Sequence, residues 1–275
     1  MAIKFIKAHA YGNDFLFMRE SEVSSYEAAD IARAVCDRHS GIGADGLIVF
    51  RNTRKGASMK LLNADGSKAE VSGNGVRCLG AILMSRMSEK HNQVTGCSVS
   101  KPRAGEETVI ETDGGAKTLT LLAEASPRYT FRAFMGEPDG VRKVDLDLFG
   151  ESVHVIVLSV GNPQCIVLTD RLDESQFQRL GPIISVHQAF PDGTNVEFVE
   201  VERPDRIRVL IWERGVGPTS ASGTGACASA VAAVVHGGAA RSMDVVSTGG
   251  SQHVEWKDEG IYLTGWAEII GQGEW

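Results

Sequence analysis

No stretch of the chain is apolar for long enough to cross a bilayer. The longest small-apolar run, Ala226 to Ala240, is broken by Ser229, His236 and two glycines, whereas a span needs about 20 apolar residues. Clusters of positive charge are also missing: lysine and arginine are scattered, and the net charge of −7 argues against nucleic acid or an anionic membrane as partner. The five cysteines (Cys36, Cys78, Cys97, Cys165 and Cys227) are an odd number without metal-ligand spacing, which fits a reducing compartment. Cys36-Asp37-Arg38-His39 reads as the end of a helix, so no metal is expected. There is no phosphate-loop lysine motif and no G-x-S-x-G elbow. Met1 to Lys7 alternates apolar and charged residues like a strand and lacks the apolar core of a signal peptide, so a cytoplasmic location is expected.

What is present is an internal echo. Ser72-Gly73-Asn74-Gly75-Val76-Arg77-Cys78 is answered by Ser222-Gly223-Thr224-Gly225-Ala226-Cys227. Each copy follows a polar turn, Asn63 to Ser67 in one and Glu213 to Gly217 in the other, and each leads into an apolar run with helical spacing. At 275 residues the chain suits one large domain or two ordinary ones.

The surrounding pattern is α/β. Ile3 to Met18 reads as two strands about a turn at Tyr11 to Asp14, and Leu47 to Phe50 and Met59 to Leu62 as further strands. Ser24 with Glu27 forms a capping-box pattern ahead of a surface helix carrying Ile31, Ala32, Val35 and Cys36. Val76, Cys78, Leu79, Ile82 and Leu83 make the next helix apolar nearly all round, the mark of a buried one. The second half repeats the order, with β-rich runs at Val153 to Val160, Asn195 to Val201 and Ile207 to Trp212 before an Ala/Val helix. The polar stretch from Ser98 to Gly115 reads as a seam. The expected architecture is therefore α/β (α+β), with two pseudo-symmetric domains, each a mixed sheet wrapped around a central buried helix.

Glycines just before a helix let backbone N–H groups converge on an anion, reinforced by the helix dipole. One such motif alone is best read as a turn with a serine cap. Two in matching context favour a site with a hydroxyl at each helix start. Arg214, at a strand end, can clamp a carboxylate, and Glu213 beside it can hold an ammonium group; a surface ion pair explains the two equally well. Asn13, Asn63, Asn74, Asn162 and Asn195 sit in turns, which asparagine favours for its backbone tolerance, and they are also well placed to orient a zwitterion. Gly41 to Gly46 imitates a dinucleotide fingerprint, but a helix precedes it and a strand follows, the reverse of what a pyrophosphate needs. Gly223 to Ala228 fits that fingerprint better, yet the acidic partner, Asp244, precedes a strand instead of ending one.

On these residues the chain resembles the diaminopimelate epimerases over nearly its full length. The likeness is carried by Gly12-Asn13-Asp14-Phe15, Asp37-Arg38-His39, Gly41 to Gly46, Asn63 to Ser67 and Gly73-Asn74-Gly75. It continues through Gly161-Asn162-Pro163, Gly193-Thr194-Asn195-Val196-Glu197-Phe198 and Glu213 to Gly217. The resemblance implies a cofactor-independent, two-base exchange of the α-proton that interconverts LL- and meso-diaminopimelate in lysine and peptidoglycan-precursor synthesis. It implies a cleft between domains of residues 1–115 (joined by 263–275) and 116–262, a small-molecule amino-acid partner, and room for a homodimer. It places the proton carriers at Ser72 and Ser222 and the carboxylate cradle at Gly73, Asn74, Gly223 and Thr224. Gly46 joins the substrate-binding set, and the distal end of the substrate meets Asn13, Asn63, Asn162, Asn195, Glu213 and Arg214.

The chain departs from the family pattern where the chemistry is concentrated. Serine occupies both positions that the family fills with cysteine, Gln164 stands where the family has a histidine, and Pro218 where it often has glutamate. A thiol ionises near pH 8.5, and lower at a helix N-terminus. A serine hydroxyl is a far weaker acid and needs a neighbouring base. Two other readings therefore stay open: a same-fold isomerase or racemase acting on another amino acid, with Glu213 or Asp65 as base, and a catalytically silent amino-acid-binding relative.

Overall fold

The computed structural model describes residues 2–23, 28–69, 72–85, 103–148 and 150–275. The expected capping box at Ser24 and Glu27 lies outside them, as does the beginning of the expected seam. Two compact units emerge, one of Met1–Ala133 with Gly265–Trp275 and one of Phe134–Thr264.

In the first unit β1 (Lys4–Ala10) turns into β2 (Asn13–Arg19), and α1 (Ala28–Cys36) leads to β3 (Gly46–Thr53) and β4 (Gly56–Asn63). The short β5 (Lys68–Ala69) precedes α2 (Gly73–Met84), after which come β6 (Glu107–Thr112), β7 (Gly115–Ala125) and β8 (Arg128–Gly136). Antiparallel pairs join β1 to β2, β3 to β4, β4 to β5, β6 to β7 and β7 to β8; β2–β3 and β4–β6 are parallel. Gly115, the expected end of the first half, opens β7, which pairs with both β6 and β8, and the first unit runs on into β8 as far as Ala133.

The second unit holds β9 (Asp139–Leu148), β10 (Glu151–Ser159), β11 (Pro163–Thr169), α3 (Glu174–Ser185), β12 (Asn195–Arg203) and β13 (Arg206–Glu213). Then come β14 (Gly217–Thr219), α4 (Gly223–His236), β15 (Ser242–Ser247), β16 (Gly250–Lys257) and the long β17 (Gly260–Glu274), which leaves the second unit after Thr264 and continues in the first, paired with β1. Its pairings repeat those of the first unit in order: β10–β11 antiparallel, β11–β12 parallel, β12–β13 and β13–β14 antiparallel, β13–β15 parallel, β15–β16 antiparallel. The echo in sequence is thus an echo of topology.

Strand alternation sorts each sheet into two faces. Ile156, Leu158, Ile166, Val199, Val209 and Ile211 pack on α4, while Val155, Val157, Cys165, Val167, Val196 and Phe198 pack on α3. Alanine, the best helix former, and valine fill α4, and its small side chains let strands close around it; it is buried from Gly223 through Ala233 apart from Thr224. In the first unit, Leu16, Met18, Leu47 and Val49 cover α1, so residues of the opposite parity on those strands face α2.

Candidate active site

That parity collects most of the residues singled out in the sequence. In the second unit Asn195 shares the α4 face with Val199, and Glu213 shares it with Val209 and Ile211. Gln164 shares it with Ile166, at the end of the strand that follows Asn162. In the first unit Asn13, Gly46 and Asn63 stand at strand ends with the α2-facing parity. Register matches the halves position by position. Phe15 pairs with Gly46 as Gln164 pairs with Asn195, and Asn63, the partner of Gly46, takes the place of Glu213.

Both serines are helix N-caps. Ser72 Oγ accepts from the Gly75 N–H at 3.1 Å, and Ser222 Oγ accepts from the Gly225 N–H at 3.2 Å, each from an extended backbone. The cap and the proposed proton carrier are therefore one group, and the structural explanation of the motif does not compete with the chemical one. Ser72 is half-buried and Ser222 is buried. Ser222 Oγ also lies 3.5 Å from Thr224 Oγ1. Neither α2 nor α4 has an acidic residue in its first turn, so the positive end of each helix dipole is not offset there.

Around Ser72 a polar network runs inward. The buried Asn74 donates from Nδ2 to Asn13 Oδ1 at 3.1 Å, and its own Oδ1 accepts from Arg77. Arg77 is a buried cation whose guanidinium also lies 5.8 Å from the centre of the Tyr11 ring. Asn13 Nδ2 donates to Asp45 Oδ2 at 2.7 Å. Arg38 ties Asp45 to Asp14 (2.8 and 2.6 Å), and Lys7 Nζ reaches Asp14 Oδ2 at 3.1 Å. Burial would raise the Asp14 pKa, but the bonds from Arg38 and Lys7 outweigh it and hold the carboxyl below its ordinary value. Asn63 is turned toward its own loop, donating to Ser67 Oγ at 3.0 Å. At Gly46 a Cβ would lie 2.7 Å from the Leu62 carbonyl oxygen, so glycine is needed there for packing whatever else it does.

Around Ser222 the groups are differently engaged. The buried Gln164 donates to Asn162 Oδ1 at 2.7 Å. Asn195 Oδ1 accepts from the Arg214 backbone N–H at 2.9 Å, and the Arg214 guanidinium donates to the Asp192 carbonyl at 2.9 Å. Glu213 closes β13 half-buried. One residue was missed in the sequence: Glu197, fully buried on the α4 face. Burial, and after it the negative charge of Glu213, raises its pKa well above the carboxylate range. The sequence carried no signal for it, because Asn-Val-Glu-Phe alternates polar and apolar residues like an ordinary strand with one wet face. Burial also pushes up the thiols of Cys165 and Cys78, and that of Cys36 to about 12, which makes them poor nucleophiles.

The profile of the family described as diaminopimelate epimerase matches residues 5–139 and 156–270. A diaminopimelate epimerase of Heliobacterium modesticaldum is 38% identical over 283 residues, covering 99% of each chain. Diaminopimelate epimerase 1 of a Nostoc species is 38% identical over 286 residues, covering 100% of each. Among solved structures, a hydroxyproline epimerase from Agrobacterium vitis superposes with a TM-score of 0.71 at 15% identity, over 99% of this chain and 92% of that one. A PhzF-family phenazine biosynthesis protein from Bacillus anthracis superposes with a TM-score of 0.70 at 13% identity, over 100% and 99%. At such identities the structural likeness establishes the fold alone.

Proposed function

Because the chain belongs to the diaminopimelate epimerase family, we propose that it is a cofactor-independent isomerase interconverting LL- and meso-diaminopimelate. In this reading Ser72 and Ser222 carry protons to and from the α-carbon, one removing and the other returning. The substrate carboxylate rests on the N–H groups of Gly73, Asn74, Gly223 and Thr224. Asn13, Asn63, Asn162, Asn195, Glu213 and Arg214 hold the distal end, with Glu213 and Arg214 matching its ammonium and carboxylate.

The observation that carries this reading is the duplicated helix start, serine-capped and glycine-led, with amide side chains gathered on the strand face around each copy. The two helix N-termini, neither with an acidic residue in its own first turn, stabilise the negative charge that develops as the α-proton leaves. Serine in place of a thiol makes turnover slow, since a hydroxyl has almost no ionised fraction at neutral pH. A cytoplasmic location and a homodimeric state belong to the same reading; fractionation and light scattering test them.

The activity test is α-proton exchange into deuterated water with LL- and meso-diaminopimelate. Exchange with inversion is expected from both isomers, rising about a hundredfold or more with Ser72→Cys and Ser222→Cys together, the order of a general acid–base contribution. Exchange that is absent from the chain and from the double substitution alike defeats the reading.

A further inference from the structure

The two helix starts match in sequence and in capping, yet different side chains pack against them. Ile48 stands against the first: its Cδ1 lies 2.8 Å from where a Cβ on Gly75 would be. Glu197 stands against the second: its Oε1 lies 2.6 Å, and the Ser222 Cβ 3.2 Å, from where a Cβ on Gly225 would be. These are the same place in the two halves, since Ile48 pairs with Leu61 across β3–β4 as Glu197 pairs with Ile211 across β12–β13. The carboxyl of Glu197 and the turn of Ser222 thus converge on one buried spot, where the first unit has a hydrocarbon.

The groups facing Glu197 can be named for each element around it. β13 contributes Glu213; β11 presents Gln164 and Ile166 on that face, its Cys165 lying on the α3 face. The first turn of α4 offers the Ser222 and Thr224 hydroxyls and backbone N–H groups, with no charged side chain. The strongest like-charge influence on an anion at position 222 therefore comes from carboxyls. At position 72 the corresponding neighbour is apolar, and the nearby buried charge, Arg77 one turn along α2, is positive.

We propose that Glu197 is a positioning residue for position 222, setting the ionisation of the group there so that the two proton-carrying positions are unequal. Position 222 holds its proton, and position 72 gives its proton up more readily. The physical cause is like-charge opposition in a water-poor site: once either Glu197 or the group at 222 is ionised, the second ionisation is disfavoured, and the pair titrates as a unit. Ile48 imposes no such coupling. The inference rests on the proposed two-base reading for its meaning, though its test does not depend on turnover.

The test uses thiols as reporters. Ser72→Cys and Ser222→Cys are made singly in the full chain, and the pH dependence of alkylation by iodoacetamide is measured against the unsubstituted chain. The thiol introduced at 222 is expected to titrate about one pH unit or more above the one introduced at 72, roughly a tenfold lower thiolate fraction at neutral pH. Adding Glu197→Gln, which keeps the shape and removes the ionisation, is expected to bring the 222 midpoint down by a similar amount while leaving the 72 midpoint in place. Coincident midpoints at 72 and 222 with Glu197 present overturn the proposal, and that comparison needs no change at Glu197. An unchanged 222 midpoint in a folded Glu197→Gln protein overturns it as well. If the gap between the thiols is found but no α-proton exchange occurs, the epimerase reading fails and this one stands.

Discussion

Gln164 donates from Nε2 to Asn162 Oδ1 across 2.7 Å, and does so from a fully buried position on the α4 face of β11. The bond commits the Asn162 carbonyl as an acceptor and thereby fixes which way its carboxamide is turned. Gln164→Leu removes the donor while keeping an apolar group of similar reach. A lost side-chain hydrogen bond of this kind costs about 1 kcal/mol, more if a polar atom is left buried. Diaminopimelate binding, followed by calorimetry, is expected to weaken about fivefold. An unchanged affinity would mean that Asn162 is not a substrate-orienting group.

Asn74 links a buried cation to a proposed substrate ligand: it accepts from Arg77 and donates to Asn13. Two substitutions separate those jobs. Asn74→Ala breaks both bonds and takes a hydrogen-bonding partner from a buried guanidinium, at about 2 kcal/mol in urea unfolding. Asn74→Asp keeps an acceptor for Arg77, and as a carboxylate it can no longer donate to Asn13. Stability close to the parent with weakened ligand binding is expected of Asn74→Asp. Equal losses of stability in both variants would show that the Arg77 contact does not hold this turn.

Acid should loosen the first unit through Asp14. Its folded pKa lies below the ordinary value, because the bonds from Arg38 and Lys7 overcome the burial that would raise it. The folded state therefore binds this proton more weakly than the unfolded chain does. The resulting stability is present above the unfolded value, about 3.9, and is lost as pH falls through the folded pKa. Unfolding free energies at neutral pH and near pH 3 are expected to differ by less in Asp14→Asn than in the parent. An equal drop in both would assign acid sensitivity to other carboxylates.

The repeat, the buried character of α2 and α4 and the strands around them were legible because strand and helix periods are written in the apolar residues. Asn13 and Asn195, read as turn residues, instead open β2 and β12, whose parity explains their orientation, while Asn162 lies in the bend before β11. Arg38 was read as part of a helix end and of the family likeness, with no partner named; its tie to Asp14 spans 24 positions, which no local pattern records. Glu197 was quoted within a motif and given no role. Its significance depends on the bare Gly225 surface it packs against, a contact between β12 and α4 that only folding creates. Gly46 illustrates the converse case, since its placement against the Leu62 carbonyl gives a packing reason for a glycine that the family likeness assigned to substrate.

Since Ser72 both caps α2 and stands at a proposed proton-carrier position, the two roles need to be pulled apart. Ser72→Ala removes cap and hydroxyl together, and the lost cap alone costs about 1 kcal/mol. Ser72→Asn leaves a good cap, whose side-chain oxygen can still accept from the Gly75 N–H, but takes away the exchangeable hydroxyl. On the capping role alone, Asn at 72 retains parental behaviour in every assay. On the proposed chemistry, Ser72→Asn unfolds near the parental denaturant midpoint while losing α-proton exchange as fully as Ser72→Ala. Ser72 is the better place for this comparison because it is half-buried and Ser222 is buried, so the larger side chain meets less crowding. Retention of exchange by Ser72→Asn would reduce the serine to a cap and move the proton-carrying role elsewhere in the first unit.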